Sequence, residues 1–449
     1  MKRILLLMLA VLALGGMSGC ALKSGVDLLT APKPNKDNQA ITDELDAVKS
    51  KDAVPASPYA GTNRNSVQMK DLDGDGVEEV VALYQTPAGG NTFEVIVLSK
   101  QDDKYVCVGR IEGTGTRINT VDYPVLTSDG HLGILIGWRQ VGDVESRMSM
   151  ADYTGGAVRT LLEENYTSML SADLDSDGVQ ELLLLNMQQS GERKHATVYE
   201  YNGAQGMMEL RGEALVSNSA KVISKVYTGY IADRQPAVFA EEKIEGGSGQ
   251  QTDIFVYGTA DGLRNLALDT ETGVGVGTYR SVAANAYDVN SDGMTEIPRA
   301  VRMVGYDDGT ADGAHMLDWY LYSASAQPQY VTTTYRNVSQ GWDFTISDSW
   351  RDAVRVIKGT ENGMEYTCFT VYNPQTGDIP LLTIYYLLGD EAERQYDDTQ
   401  DLIQLGSTSS ARIVGYIPST AVQSSLRLDE EQVRQRFSLV AADWSAPQS

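Results

Sequence analysis

The sequence has few of the residues from which disulfide scaffolds and zinc enzymes are built. It contains only 3 cysteines and 3 histidines in 449 residues, and they are too scattered for a disulfide framework or a zinc site. Cys107 and Cys368 each lie in an alternating, strand-like stretch, which favours small core residues over a disulfide. Neither an HExxH metalloprotease motif nor a phosphate-binding P-loop occurs. No catalytic residue is therefore predicted.

The sequence also lacks an apolar run long enough to cross a bilayer. The N-terminal run from Ile4 to Leu14 has 11 residues, whereas a spanning helix needs about 20. It follows Lys2 and Arg3 and leads into a stretch of small residues that ends at Cys20. A charged start, a short apolar run and small residues are typical of a secretory signal peptide.

The residues around the predicted cleavage point, Met17-Ser18-Gly19-Cys20, resemble the lipobox of bacterial lipoproteins. Met17 stands where that family usually has Leu. The resemblance implies a signal peptide over residues 1–19, cleavage before Cys20, and a lipid on the Cys20 thiol. Stable anchoring takes at least two acyl chains, such as palmitate, because one chain binds a membrane only marginally. We expect a lipid-anchored protein on the extracytoplasmic face of the cell membrane; the alternative is an ordinary signal peptide beside a chance cysteine.

Positive charge is scarce as well. The chain has 36 Lys and Arg against 61 Asp and Glu, a formal charge of −25. Such a field excludes binding to nucleic acid through net charge. Residues 20–65 carry four prolines among many polar residues, which predicts a tether with one possible short helix over residues 43–51.

Part of the negative charge recurs at one special spacing. An acidic loop with the pattern D-x-[DN]-x-D-G-x-x-E occurs three times. Calcium takes six to eight oxygens, and side chains at positions 1, 3 and 5 of a tight loop converge on one point, while Gly at position 6 permits the turn. The carbonyl of position 7 and the carboxylate of position 9 would complete each shell. The predicted Ca²⁺ ligands are Asp71, Asp73, Asp75, Val77 and Glu79; Asp173, Asp175, Asp177, Val179 and Glu181; and Asp288, Asn290, Asp292, Met294 and Glu296.

These loops are not EF-hands. An EF-hand needs Glu at position 12, where this chain has Ala82, Leu184 and Arg299. Each loop instead leads into a short apolar run that predicts a buried strand.

The loops belong to a longer repeat. Two degenerate copies, from Val125 to Gly130 and from Gly229 to Asp233, lie between the acidic ones, so that loops begin at 71, 125, 173, 229 and 288. Each unit reads strand, loop, strand, connection, strand, turn, strand. In the third unit the predicted strands are 168–172, 181–187, 196–201 and 207–211. A four-stranded unit with this period is typical of a propeller blade.

Residues 66–338 resemble the FG-GAP or VCBS repeats of the integrin-α N-terminal type of β-propeller. The resemblance implies calcium in the D-x-D-x-D-G loops. The chain departs from the family in blade number, because seven blades are common there and five are recognisable here. Residues 339–446 predict a small α+β domain whose last helix is N-capped by Asp429 with Gln432 three residues on. The predicted fold is thus mainly β: a calcium-loop propeller of five or more blades and a small α+β C-terminal domain.

Two function classes are compatible with this sequence. The first is a surface binding module, in which calcium shapes loops that contact an unknown surface protein or cell-wall glycan. The alternative is an extracellular carbohydrate-active enzyme on a propeller scaffold, because 61 acidic residues offer many carboxylate pairs.

Overall fold

The computed structural model describes residues 36–87, 92–140, 142, 145–187, 194–244, 249–306, 315–325, 327–361, 363–389 and 402–440. The predicted signal peptide and Cys20 lie outside this part of the chain. The described residues are mainly β, with six sizeable antiparallel sheets. None of their helices combines the length and apolar character needed to span a membrane.

The first four sheets follow the chain in order, and in each of them four strands are joined as a meander. Sheet 1 also contains an additional short strand, which pairs with the second strand of its meander. Sheet 1 comprises β1 (Val54–Pro55), β2 (Val67–Lys70), β3 (Glu79–Thr86), β4 (Thr92–Gln101) and β5 (Lys104–Thr114); sheet 2 comprises β6 (Arg117–Asp122), β7 (Gly133–Arg139), β8 (Ser146–Thr154) and β9 (Ala157–Tyr166); sheet 3 comprises β10 (Ser168–Ala172), β11 (Glu181–Asn186), β12 (His195–Asn202) and β13 (Met207–Leu215); sheet 4 comprises β14 (Ala220–Tyr230), β15 (Pro236–Ile244), β16 (Gln250–Gly258) and β17 (Gly262–Asn265).

The remaining sheets interleave near the C-terminus. A two-stranded ribbon of β18 (Leu268–Asp269) and β19 (Val274–Gly275) precedes them. The last strand among the described residues returns to pair with the fourth strand of sheet 5. Sheet 5 comprises β20 (Glu296–Arg302), β21 (His315–Leu321), β22 (Gln329–Asn337), β23 (Trp342–Ile346) and β29 (Phe437–Leu439); sheet 6 comprises β24 (Val354–Glu361), β25 (Met364–Val371), β26 (Ile379–Leu388), β27 (Leu402–Ser407) and β28 (Ala411–Tyr416).

Sheets 2 to 5 each bury both faces against neighbouring sheets. In β11, Leu182 and Leu184 face the core shared with sheet 2, whereas Leu183 and Leu185 face the core shared with sheet 4. This alternation follows from the period of two along a strand, and it explains why the second strands of the units read as continuous apolar runs. Sheets 1 and 2, 4 and 5, and 5 and 6 share cores in the same way.

Helix α1 (Lys36–Val48) covers the free face of sheet 1. Its residues Ile41 and Leu45, four apart on one face, pack on Val80, Ala82 and other residues of β3 and β4. Residues 36–65 are therefore not the free tether that the sequence predicts. The physical reason is an apolar stripe on the helix, which gains more from burial than from solvation.

The sheets form a stack in which consecutive members touch, but the described residues do not show a closed ring. No strand pairing joins sheet 1 to sheet 5 or sheet 6 in the described part of the chain. The face of sheet 1 that a last blade would cover is occupied by α1. The predicted ring of blades is thus seen only as a succession of blade-like sheets.

The predicted domain boundary at residue 338 falls inside a hairpin. Asn337 of β22 pairs with Trp342 of β23, so the stretch 342–346 belongs to sheet 5 rather than to a separate domain. One hydrophobic core spans sheets 5 and 6 and contains Trp342, Trp350 and Phe369. Two α-helices of the described residues accompany this region, α2 (Asp348–Arg351) and α3 (Glu430–Arg436).

The predicted cap of the last helix is present. The Asp429 carboxylate accepts a hydrogen bond from the Gln432 N–H at 2.8 Å, and the Gln432 side chain accepts one from the Asp429 N–H at 3.0 Å. The helix ends at Arg436, and the next residue, Phe437, begins β29.

Candidate metal centres

Each acidic loop joins the first and second strand positions of a unit. The first loop runs from β2 to β3 and the second from β10 to β11. In the fifth unit only an isolated bridge between Tyr287 and Glu296 stands in for the first strand. The three loops therefore occupy equivalent places in the repeat, as their sequences predict.

The backbone turns sharply at the same two positions of every loop. At position 6 the glycines Gly76, Gly178 and Gly293 have φ of 87°, 89° and 86°. This left-handed conformation is readily adopted only by glycine. Position 4 is left-handed too, and there two loops hold serine, Ser176 at φ 67° and Ser291 at φ 62°. Backbone strain is thus built into these loops.

The carboxylate at position 1 holds the turn together. In the second loop, Asp173 accepts hydrogen bonds from the N–H groups of Asp177 at 3.1 Å and Gly178 at 3.0 Å. Asp71 and Asp288 each accept two backbone N–H bonds in the same way, including one from the glycine at position 6. The first aspartate therefore orders its loop through hydrogen bonds to the backbone, which need no metal.

The aspartate at position 5 accepts a hydrogen bond from the N–H of position 7. These bonds span 2.7 to 2.8 Å in the three loops. The second oxygen of Asp75 and of Asp177 is left for another partner, whereas that of Asp292 accepts a hydrogen bond from the Asn290 amide. A role for the carbonyls of Val77, Val179 and Met294 stays a prediction.

The glutamate at position 9 is the first residue of the following strand and is fully buried. Glu79, Glu181 and Glu296 are 1%, 0% and 0% exposed. One oxygen of each accepts the N–H of position 2, at 2.7 Å from Leu174 in the second loop. The other oxygen, Oε1, has no hydrogen-bond partner in Glu181 or Glu296 among the described residues. A buried, unpartnered carboxylate oxygen is costly, so its retention calls for a ligand.

Burial dominates the titration of these glutamates. The pKa of Glu181 is raised to about 8, mainly by desolvation; the Leu174 N–H bond lowers it, and the charges of the three loop aspartates raise it. Burial is also the main cause that raises the pKa of Glu79 and of Glu296 to about 7. A nearby cation would reverse this effect, because it favours the ionised form.

Two loops gather three carboxylates around one point. Side-chain oxygens of Asp71, Asp73 and Glu79 all lie within 4.8 Å of one another. Asp173, Asp175 and Glu181 form an equivalent group. Calcium binds oxygens at about 2.3–2.6 Å, so oxygens on opposite sides of one ion lie about 5 Å apart. The two groups fit that requirement.

The third loop differs at position 3. There the Asn290 amide donates to the Asp292 carboxylate at 2.9 Å, and its oxygen accepts the Asp292 N–H at 3.1 Å. An amide that already pairs with its neighbour offers less to a cation. We therefore expect this loop to be the weakest of the three.

The two degenerate loops alternate with the acidic ones and brace them. The Leu132 N–H donates to the Leu72 carbonyl at 2.8 Å, and the Gln180 N–H donates to the Val125 carbonyl at 2.8 Å. The Thr295 N–H likewise donates to the Tyr230 carbonyl at 2.7 Å. The first three loops are thus hydrogen-bonded in succession, and so are the fourth and fifth, so that an ordered loop braces the loop beside it.

A cavity at the opposite end of sheets 1 and 2 was not predicted. It is lined by residues from Ser50 to Glu163 that share no motif. Only the pairing of strands brings them together, so the sequence carries no local signal for it.

Known proteins resemble this chain only distantly. No family model matches the chain, and no curated protein does. Among solved structures, a protein from Lactobacillus plantarum is 9% identical at a TM-score of 0.30, covering 71% of this chain and 83% of that one. The periplasmic gluconolactonase PpgL of Pseudomonas aeruginosa is 14% identical at 0.27, covering 71% and 84%. The exotype rhamnogalacturonan lyase YesX is 10% identical at 0.26, covering 82% and 76%. At such scores the similarity carries no argument about this chain's fold or activity.

Proposed function

We propose that this chain is an exported, lipid-anchored lipoprotein whose FG-GAP-like repeats bind calcium, and that it serves as a binding module for a protein or glycan at the cell surface. The observation that carries the calcium part is the buried Glu181 carboxylate. One of its oxygens is without a hydrogen-bond partner among the described residues, and the carboxylate offers an oxygen within 4.8 Å of oxygens of Asp173 and Asp175.

Calcium would act on the shape of the loop edge rather than in a reaction. Without a cation, each acidic loop concentrates several carboxylates whose charges repel one another. A bound ion removes that repulsion and fixes the loop that braces the next sheet. At millimolar calcium and a Kd of about 10⁻⁴ to 10⁻³ M, one site gains about 0.4 to 1.4 kcal/mol by mass action.

Hydrogen–deuterium exchange of the chelator-stripped protein, with and without calcium at about 1 mM, tests this role. We expect slower exchange in the acidic loops at 71–79 and 173–181. We also expect it in the degenerate loop at 125–132, whose backbone bonds both of them. Exchange that does not change with calcium in any of these loops would contradict the proposal. Magnesium at the same concentration is the control, because it demands a smaller, more regular shell.

The binding role rests on the same edge. Loops held by a rigid scaffold are the usual place for recognition. The anchor at Cys20 would present them outside the cell, at a distance set by the residues before α1.

A further inference from the structure

Sheets 1 and 2 line a cavity of about 570 Å³. It lies where β3 and β7 end, so it is at the far end of these strands from the acidic loops. Its volume falls within the range of about 300–1,000 Å³ that is usual for small-molecule sites.

The floor of the cavity is aromatic and rigid. The rings of Phe93 and Trp138 stack with centroids 6.2 Å apart, and both are almost fully buried. The Trp138 ring lies on the backbone of Gly113, where an added Cβ would be 2.4 Å from the ring. Its indole N–H donates to the Ser149 hydroxyl at 2.9 Å. The ring is therefore held in one position and gives the cavity a fixed floor.

Exposed carboxylates stand on both walls. Glu112 of β5 and Glu163 of β9 are exposed and line the cavity. Glu94 lies directly across from Glu112 in the sheet. Its carboxylate is paired with the Arg110 guanidinium at 2.8 Å and accepts a hydrogen bond from the Ser50 N–H at 2.7 Å. The like charges of Glu94 and Glu112 are thus tolerated, and Glu112 keeps acceptor capacity for a ligand.

Donors complete the lining. The Arg147 guanidinium lies 3.7 Å from the Glu163 carboxylate, and Thr92 and Thr114 also line the cavity. The lining carries two carboxylates, Glu112 and Glu163, beside two cations, Lys51 and Arg147. A strongly anionic ligand would meet both carboxylates, and an apolar one would leave all four charges desolvated. A sugar suits the site, because its hydroxyls donate to carboxylates and accept from cationic side chains, and it carries no net charge.

We propose that this cavity binds a short neutral oligosaccharide. The inference deepens the proposed function, on which it rests, by assigning a ligand class and placing the ligand away from the calcium edge. We expect the sugar to make no contact with a bound calcium ion.

Calorimetric titration of the full-length Cys20→Ser protein with cellobiose, chitobiose and digalacturonate tests it. We expect a neutral disaccharide to bind and digalacturonate to bind more weakly. The double variant Glu112→Gln/Glu163→Gln should weaken the neutral sugar about tenfold or more, because charge-assisted hydrogen bonds are lost. Glu164→Gln is the matched control, one residue along β9 and across from Met148 instead of Ser149; it should bind as the parent does.

Several results would overturn the inference: no binding of either neutral sugar, preference for digalacturonate, or equal affinity in the double variant. Release of monosaccharide from a bound disaccharide would overturn a binding role in favour of hydrolysis. Titration of the same sample with calcium separates the two proposals. Normal calcium uptake without sugar binding removes only the cavity site, whereas absent calcium uptake removes the calcium module.

Discussion

Replacing Glu181 by glutamine separates a metal ligand from a structural carboxylate. The amide keeps the shape of the side chain and an oxygen for the Leu174 N–H, which Glu181 accepts at 2.7 Å. It removes the charge that burial disfavours. The outcome therefore depends on pH in a direction that the structure fixes.

The sign follows from the protonation of Glu181 in each state. Burial raises its pKa from 4.5 to about 8 in the fold. Below pH 4.5 the Glu181 carboxyl is protonated in both the folded and the unfolded chain, so its titration does not change the free energy of unfolding. Between pH 4.5 and 8 the unfolded chain releases a proton that the metal-free fold retains, so stability falls as pH rises. From 4.5 to about pH 7, at about 1.4 kcal/mol per unit, this amounts to about 3 kcal/mol.

The amide of the Glu181→Gln variant does not titrate, so this loss is absent from the variant. An unpaired buried amide costs about 1–3 kcal/mol, but that cost is the same at every pH. In chelator, the stability of the variant relative to the wild type should therefore improve by about 3 kcal/mol between about pH 4.5 and about pH 7. Millimolar calcium should stabilise the wild type more than the variant, because the variant lacks one ligand.

Urea denaturation in EDTA at about pH 4.5 and about pH 7 measures this difference. Glu164→Gln serves as an exposed control on β9 that should show no such change. If Glu181→Gln is destabilised equally at both pH values, and calcium stabilises both proteins equally, Glu181 is a structural carboxylate and not a calcium ligand.

Three further outcomes are expected. Asp175→Ala should remove one calcium from the binding stoichiometry, whereas Asp233→Ala, in a degenerate loop, should leave it unchanged; equal losses by calorimetry would mean that the acidic loops are only turns. Cys20→Ser should move the protein from the detergent phase to the aqueous phase in a partition assay, and unchanged partitioning would disprove the lipid anchor. Gly113→Ala should destabilise the fold by about 1–3 kcal/mol in thermal denaturation, because its Cβ would lie 2.4 Å from the Trp138 ring; an unchanged melting temperature would show that this packing is adjustable.

The repeat could be predicted from the sequence because each unit carries its own local signals. In the third unit the structure has strands at Ser168–Ala172, Glu181–Asn186, His195–Asn202 and Met207–Leu215, within a few residues of the prediction. The turn of the acidic loop was predicted by one glycine whose left-handed φ is observed in every copy. Burial of the position 9 glutamate follows from its place at the start of an apolar strand.

What the sequence did not reveal depends on contacts between distant segments. The packing of α1 on sheet 1 follows from an apolar stripe of only a few residues, Ile41 and Leu45 among them, inside a polar, proline-flanked stretch. The hairpin across residue 338 was missed because the repeat motif ends there, although the strand pairing continues to Trp342. The cavity floor needs Gly113 and Trp138 from different sheets, and no spacing along the chain encodes that contact.

Calorimetric titration of the chelator-stripped wild type with calcium measures whether the acidic loops bind the ion. We predict uptake at the loops that begin at Asp71, Asp173 and Asp288, with the Asn290-containing loop the weakest, and a higher melting temperature once they are filled. Absence of calcium uptake at millimolar concentration would contradict it.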